Sequence, residues 1–145
     1  MHRHTRSLLL ISLLTTPFLG LTQANAQQAA RPQDAVIRYY TALGKQDYAA
    51  AYALWDRNGL ASGKSFATFK RGFANTFSTY VTITGAPRLE GAAGSVYATV
   101  PVRVTAKLRT GQAQSFTGTY VLRKNNTGTG TAQSQQWHID QATLR

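Results

Sequence analysis

The stretch Ser95–Arg109, SVYATVPVRVTAKLR, decides the fold. Val96, Ala98, Val100, Val102, Val104, Ala106 and Leu108 recur at every second position, and Tyr97, Thr99, Arg103, Thr105, Lys107 and Arg109 fall between them. A period of two belongs to a strand with one apolar face and one polar face. Pro101 has no N–H to give a ladder, so the strand is expected to be bent, bulged or at an edge there.

The next segment, SFTGTYVLR at 115–123, puts Phe116, Tyr120 and Leu122 on one face and Thr117, Thr119 and Arg123 on the other. An even loop at Thr110-Gly111 would set Phe116 and Tyr120 beside Arg103 and Lys107. An odd loop pairs Val102 with Tyr120 and Val104 with Gly118 and keeps one face apolar. Burial selects the odd loop, three residues with a bulge at the glycine. The polar face then collects Arg103, Lys107, Arg109 and Arg123 into a threonine-rich basic strip, a candidate surface for an anionic polymer.

Upstream the alternation begins after Ser78, where Val81 and Ile83 alternate with Tyr80, Thr82 and Thr84, and Gly85-Ala86-Pro87 turns the chain. Glu90 reads as a turn residue. Before Ser78 the period is helical. Pro32 suits the first turn of a helix carrying Val36, Ile37, Tyr40 and Leu43 and closed by Gly44. Asp47 caps a second helix bearing Tyr48, Tyr52 and Trp55 and ended by Asn58-Gly59. Ser65 caps a third, whose Phe66, Phe69, Phe73 and Phe77 are spaced for a core face. Residues 124–135, KNNTGTGTAQSQ, read as a long mobile loop, and WHIDQATL at 137–144 as a last strand. The fold class is α+β: three N-terminal helices on a curved antiparallel sheet of about four strands, one domain over residues 32–145.

The chain starts with a basic segment and an apolar run, Leu8 to Leu21, too short for a membrane span, followed by Ala24-Asn25-Ala26. This reads as a signal peptide over 1–26, a polar lead-in at 27–31 and a periplasmic or secreted mature chain of 145 − 26 = 119 residues. With 14 basic and 5 acidic residues left, that chain carries +9, a balance that favours anionic partners. No cysteine is present, which excludes disulfides and the bacterial lipid anchor that needs a cysteine directly after the cleavage point. One histidine remains after the leader, so a protein-only transition-metal site is not expected, and no cofactor is. No nucleophile elbow or glycine-rich phosphate loop occurs.

VIRYYTALGKQDYAAAYALW at 36–55, together with the closing WHIDQATL, resembles nuclear-transport-factor-2-like, or SnoaL-like, domains. The resemblance covers Pro32 to Leu144 and implies a cone with an apolar pocket between the helices and the concave sheet face. It also implies two kinds of relative: cofactor-free isomerases, cyclases and dehydratases with a pocket aspartate, and modules that only bind ligands or envelope partners. Dimerisation through the outer sheet face is common in such domains, although the basic strip would oppose a symmetric contact.

Candidate pocket residues are Tyr40, Tyr52, Trp55, Phe66, Phe69, Phe73, Tyr120 and Trp137. Candidate acid–base residues are Asp56, Asp140 and His138. In an extended strand Trp137 and Ile139 share the buried face, which sends His138 and Asp140 outward, away from the pocket. Ala142 and Leu144 fall on the histidine side and pull against that assignment. Asp34 and Asp47 are explained as residues of helix first turns. The residues therefore point first to a non-catalytic module for a small apolar molecule or an envelope protein, with the isomerase-type enzyme and the polyanion binder as alternatives.

Overall fold

The protein is described from a computed structural model, which covers residues 31–145. The signal peptide expected over 1–26 and all but the last residue of the lead-in lie outside the described residues. Helix α1 spans Pro32–Gly44, α2 spans Tyr48–Ala53 and α3 spans Phe66–Gly72, with one 3-10 turn at Leu60–Ser62. The strands are β1 (Thr76–Ile83), β2 (Arg88–Ala92), β3 (Ser95–Leu108), β4 (Ala113–Asn125) and β5 (His138–Leu144). They form one antiparallel sheet in the order β1-β3-β4-β5, and β2 pairs with β3 beyond the end of β1. The three helices pack against this curved, unclosed sheet.

Each helix begins where its side chains can satisfy the first N–H groups. Asp47 accepts from the Ala50 N–H at 3.0 Å and Ser65 from the Thr68 N–H at 3.3 Å. Asp34 accepts from the Arg31 backbone and guanidinium, and that contact holds its carboxyl below the usual carboxylate range. Along α1, Val36, Tyr39, Tyr40 and Leu43 are buried, at helical spacing.

Along β3 the alternation is realised: Ala98, Val100, Val102 and Val104 are buried, while Arg103, Thr105 and Lys107 are exposed. Pro101 sits where β1 has ended and β2 has not begun. Its carbonyl accepts from Thr84, so the side on which an N–H is missing faces that gap and no ladder bond is lost.

Several expectations are corrected. The β3–β4 register has the anticipated parity but is shifted by two, pairing Val100 with Tyr120, Val102 with Gly118 and Val104 with Phe116. Leu108 N–H bonds to Gln112 O at 2.8 Å, leaving a loop of Arg109, Thr110 and Gly111, and Gly111 has φ 91°. A three-residue hairpin wants its left-handed residue last, which places the loop one residue earlier than the expected register required. Glu90 lies in β2 rather than in a turn.

The second helix stops at Ala53, short of Asn58-Gly59. Asp56 N–H donates to Ile139 O at 2.7 Å and Ile139 N–H to Leu54 O at 2.8 Å, so residues 54–56 leave the helix to pair with β5. Arg57, Asn58 and Gly59, all with positive φ, then reverse the chain. Phe77 is not on α3 and not in the core: it lies in β1 and is 65% exposed. The helix ends at Gly72, and its exit is tied to the β3–β4 hairpin by Arg109, whose N–H donates to Asn75 O and whose Nε donates to Ala74 O.

Candidate functional site

Between the helices and the concave sheet face lies a cavity of about 320 Å³. Five rings wall it: Tyr39 from α1, Trp55 after α2, Phe69 and Phe73 of α3, and Tyr120 of β4. Ala142 and Leu144 of β5 complete the wall, and Ser62 and Lys64 supply polar atoms. The rings hold one another edge to face: Tyr39 meets Trp55 at 6.0 Å between centroids and 86°, and Phe69 meets Phe73 at 5.2 Å and 65°.

Ala142 and Leu144 reach the cavity because β5 carries a bulge. Leu122 pairs with Ile139 but Val121 pairs with Gln141, so Asp140 is the extra residue. The extra residue inverts the alternation, and Ile139 before it and Ala142 and Leu144 after it all face inward. Strict alternation could not have served both pairs, which is the conflict visible in the bare sequence.

The residues expected at the pocket divide. Trp55, Phe69, Phe73 and Tyr120 line it. Tyr40 stands behind Tyr120, with 2.7 Å between their hydroxyl oxygens. Tyr52 donates its hydroxyl to Lys64 O at 2.7 Å and packs on Phe66 and Phe69, and Phe66 is 41% exposed. Trp137 is buried away from the cavity, with Lys124 Nζ 4.9 Å over its ring. Tyr39 was missed, although its place beside Tyr40 on the buried stripe of α1 carried the signal.

Burial governs the tyrosine hydroxyls. It pushes Tyr40 up to about 12, with the hydrogen bond to Tyr120 pulling the other way. Tyr120 is raised further, by burial first and then by its tyrosine neighbours, and Tyr39 is also raised mainly by burial. Trp55 opposes the Tyr39 shift, but its Nε1–H meets no acceptor at hydrogen-bonding geometry, so that pull is the effect of a near neighbour. All three phenols are neutral donors at physiological pH.

No carboxylate among the described residues lines this cavity, and the acid–base candidates lie elsewhere. Asp56 and His138 line a separate polar cleft of about 180 Å³ with Arg57, Asn58 and Gln133, on the far side of β5. His138 faces away from the core as expected but is covered rather than solvated. It is 9% exposed, with Nδ1 3.1 Å from Gln136 O and Nε2 3.5 Å from Gln133 Nε2. Asp140 lines neither space. Among the described residues no group of three or more His, Cys, Asp or Glu could hold a metal ion.

The basic strip is divided too. Arg103 and Lys107 are exposed on the outer face, whereas Arg109 is bound to the α3 exit. Arg123 donates to Asp56 at 3.1 Å and to Ser95 at 3.1 Å, and the carboxylate contact raises its pKa above the ordinary guanidinium value. Asp56→Asn should leave that guanidinium without its charge partner and cost about 1 kcal/mol, the scale of a partly exposed pair. Urea unfolding would read this as a lower midpoint at unchanged slope, and an unchanged midpoint would show the pair to be idle.

No protein-family model matches the chain, and no curated protein matches it in sequence. Solved structures do match in fold. A nuclear transport factor 2 (NTF2-like) superfamily protein from Salmonella enterica serovar Typhimurium superposes with TM-score 0.51 at 16% identity, over 77% of this chain and 85% of that one. A ketosteroid isomerase-like protein from Erwinia carotovora atroseptica gives TM-score 0.52 at 16% identity, over 82% of this chain and 95% of that one. At such identities the likeness speaks for the fold alone. Among the described residues no helix is long and apolar enough to cross a membrane.

Proposed function

We propose that this chain, an NTF2-like domain in fold, is a non-catalytic binding module that takes a small flat apolar molecule into its helix–sheet cavity. The observation that carries this reading is the wall itself: five rings and two aliphatic side chains beside Ser62 and Lys64, and no carboxylate among the described residues that line it. Rings and aliphatic groups gain from apolar contact and can move no proton near neutrality. At about 320 Å³ the cavity stands at the small end of the usual range for ligand sites, suiting one or two fused rings. Lys64 at its edge favours a ligand with an acidic group. Export by the leader at 1–26 belongs to the same reading and rests on the sequence.

The probe is 1-anilinonaphthalene-8-sulfonate, a naphthalene that carries a phenylamino group and a sulfonate. Wild-type protein should bind it with enhanced dye fluorescence. Ala142→Trp, which fills the cavity from an exposed strand position, should weaken binding at least tenfold while Arg103→Ala with Lys107→Ala leaves it unchanged. Equal affinity in the filled variant, or no binding to the wild type, would overturn the proposal. Loss of binding in the charge variant alone would favour an anion site on the outer face.

A further inference from the structure

The polar cleft on the far side of β5 holds side chains that the fold does not use. The chain reverses beside it through Arg57, Asn58 and Gly59, at φ 55°, 56° and 93°. Glycine adopts such angles freely and asparagine tolerates them, but for arginine they are strained. A turn needed only to reverse the chain gains nothing from an arginine. The Arg57 backbone N–H donates to Asp56 Oδ1 at 2.8 Å, while its guanidinium joins none of the ion pairs among the described residues. That side chain instead lines the cleft, with Asn58 next to it.

His138, buried to nine-tenths, lines the same cleft. Its Nδ1 lies 3.1 Å from Gln136 O, and a carbonyl oxygen only accepts. Nδ1 therefore carries the proton, and Nε2 of the neutral ring presents a lone pair. The partner of that lone pair among the described residues is Gln133 Nε2 at 3.5 Å, at the outer limit of hydrogen bonding. A buried acceptor so weakly met is better served by a donor brought into the cleft. Thr131 Oγ1, which accepts from the Ser134 N–H, still has its own proton to give.

Charge selects what fits. Arg123 matches Asp56 at 3.1 Å, so two guanidinium groups against one carboxylate leave the site at 2 − 1 = +1. A neutral polyol would leave Arg57 unmatched, and a zwitterionic amino acid would bring no net charge. An anion without a proton would satisfy Arg57 but face the lone pair of His138 and the carboxylate of Asp56. A singly charged acid that also carries a hydroxyl meets every condition. We infer that this cleft is a second binding site, separate from the aromatic cavity, for a small hydroxycarboxylate. Its carboxylate sits on Arg57 and Asn58 in charge-assisted hydrogen bonds, and its hydroxyl donates to His138 Nε2. A volume of about 180 Å³, below the usual range for ligand sites, confines that acid to a few carbons.

The probes are L-lactate, propionate, which lacks its hydroxyl, and 1,2-propanediol, which lacks its carboxylate. Titrated into the full chain, L-lactate should move the imidazole NMR signals of His138, assigned apart from those of His2 and His4, at a concentration at least tenfold lower than either analogue needs. Arg57→Gln should abolish the response. Arg57→Gly should abolish it too without lowering the urea midpoint, because glycine accepts a φ of 55° without strain. No movement with L-lactate overturns the inference, and so does a response that survives both Arg57 variants. Propionate acting as well as L-lactate would reduce the cleft to a plain anion site and overturn the part given to His138. Propanediol acting as well would overturn the part given to Arg57. Failure of dye binding in the aromatic cavity would leave this result untouched.

Discussion

Gly118→Ala is expected to unfold the protein or to cost about 3 kcal/mol or more, a large share of the stability of a domain this size. Gly118 lies in the middle of β4 between two partners, Val102 on β3 and Leu144 on β5. A Cβ at this position would fall inside the van der Waals envelope of the Thr143 carbonyl, with the Leu144 Cα close behind. Both are backbone atoms, so no side-chain rotation relieves the clash, and β5 must move away from β4. The displacement would open the wall that Ala142 and Leu144 give to the cavity and loosen the contact of Ile139 with Leu122. Overpacking ordinarily costs about 1–3 kcal/mol, and the upper end applies where the obstacle is main chain. Urea unfolding of Gly118→Ala beside Gly111→Ala separates this steric effect from the general cost of adding a methyl group. Nothing stands near a Cβ at Gly111, whose demand is a positive φ, so its penalty should be about 1 kcal/mol. Equal midpoints for the two variants would contradict the crowding at Gly118.

How far the fold could be read beforehand depends on whether a neighbour in space could overrule the local pattern. In α1 none does, and Pro32 and Gly44 bound the helix where the sequence places its signals. In β3 alternation and burial agree from Ala98 to Lys107 because both faces of the strand have simple demands. Where the reading failed, a distant partner intervened. Trp55 left its helix because Leu54 and Asp56 have Ile139 to bond. Phe77 matched the phenylalanine spacing of α3, but the contact that ends the helix belongs to Arg109, more than thirty residues on. At the cavity, four aromatic residues were legible as apolar recurrences, whereas Ala142 and Leu144 required a bulge that two residues of β4 impose on β5. The meeting of Asp56 with Arg123 spans 67 residues and left no trace in spacing.

Raising the pH from 10 to 12 should destabilise the protein steeply, by several kcal/mol. Tyr39, Tyr40 and Tyr120 all have hydroxyls raised above the ordinary value of 10.0 in the folded state, Tyr40 to about 12 and the other two beyond it. In the unfolded chain the three ionise near 10. Below that pH both states hold the protons and stability does not change on their account. Above it the unfolded state releases three protons that the folded state keeps, and folding weakens by about 1.4 kcal/mol per tyrosine per pH unit. For Tyr40 the loss levels off as the pH passes about 12; for the other two it continues upward. Three such groups together would lose about 4 kcal/mol per unit, comparable within two units to the whole stability of a small domain. The cause is burial: Tyr39, Tyr40 and Tyr120 are packed among one another and their neighbours, where a phenolate would lose most of its hydration. Absorbance at 295 nm during alkaline titration should therefore show three of the seven tyrosines silent until circular dichroism reports unfolding, then appearing together. Tyr120→Phe should remove one silent phenol and shift the transition to higher pH, because it deletes the group whose ionisation most favours the unfolded chain. Seven phenols titrating smoothly near 10 with the fold intact would mean that water reaches these hydroxyls, and with it the floor of the proposed apolar site.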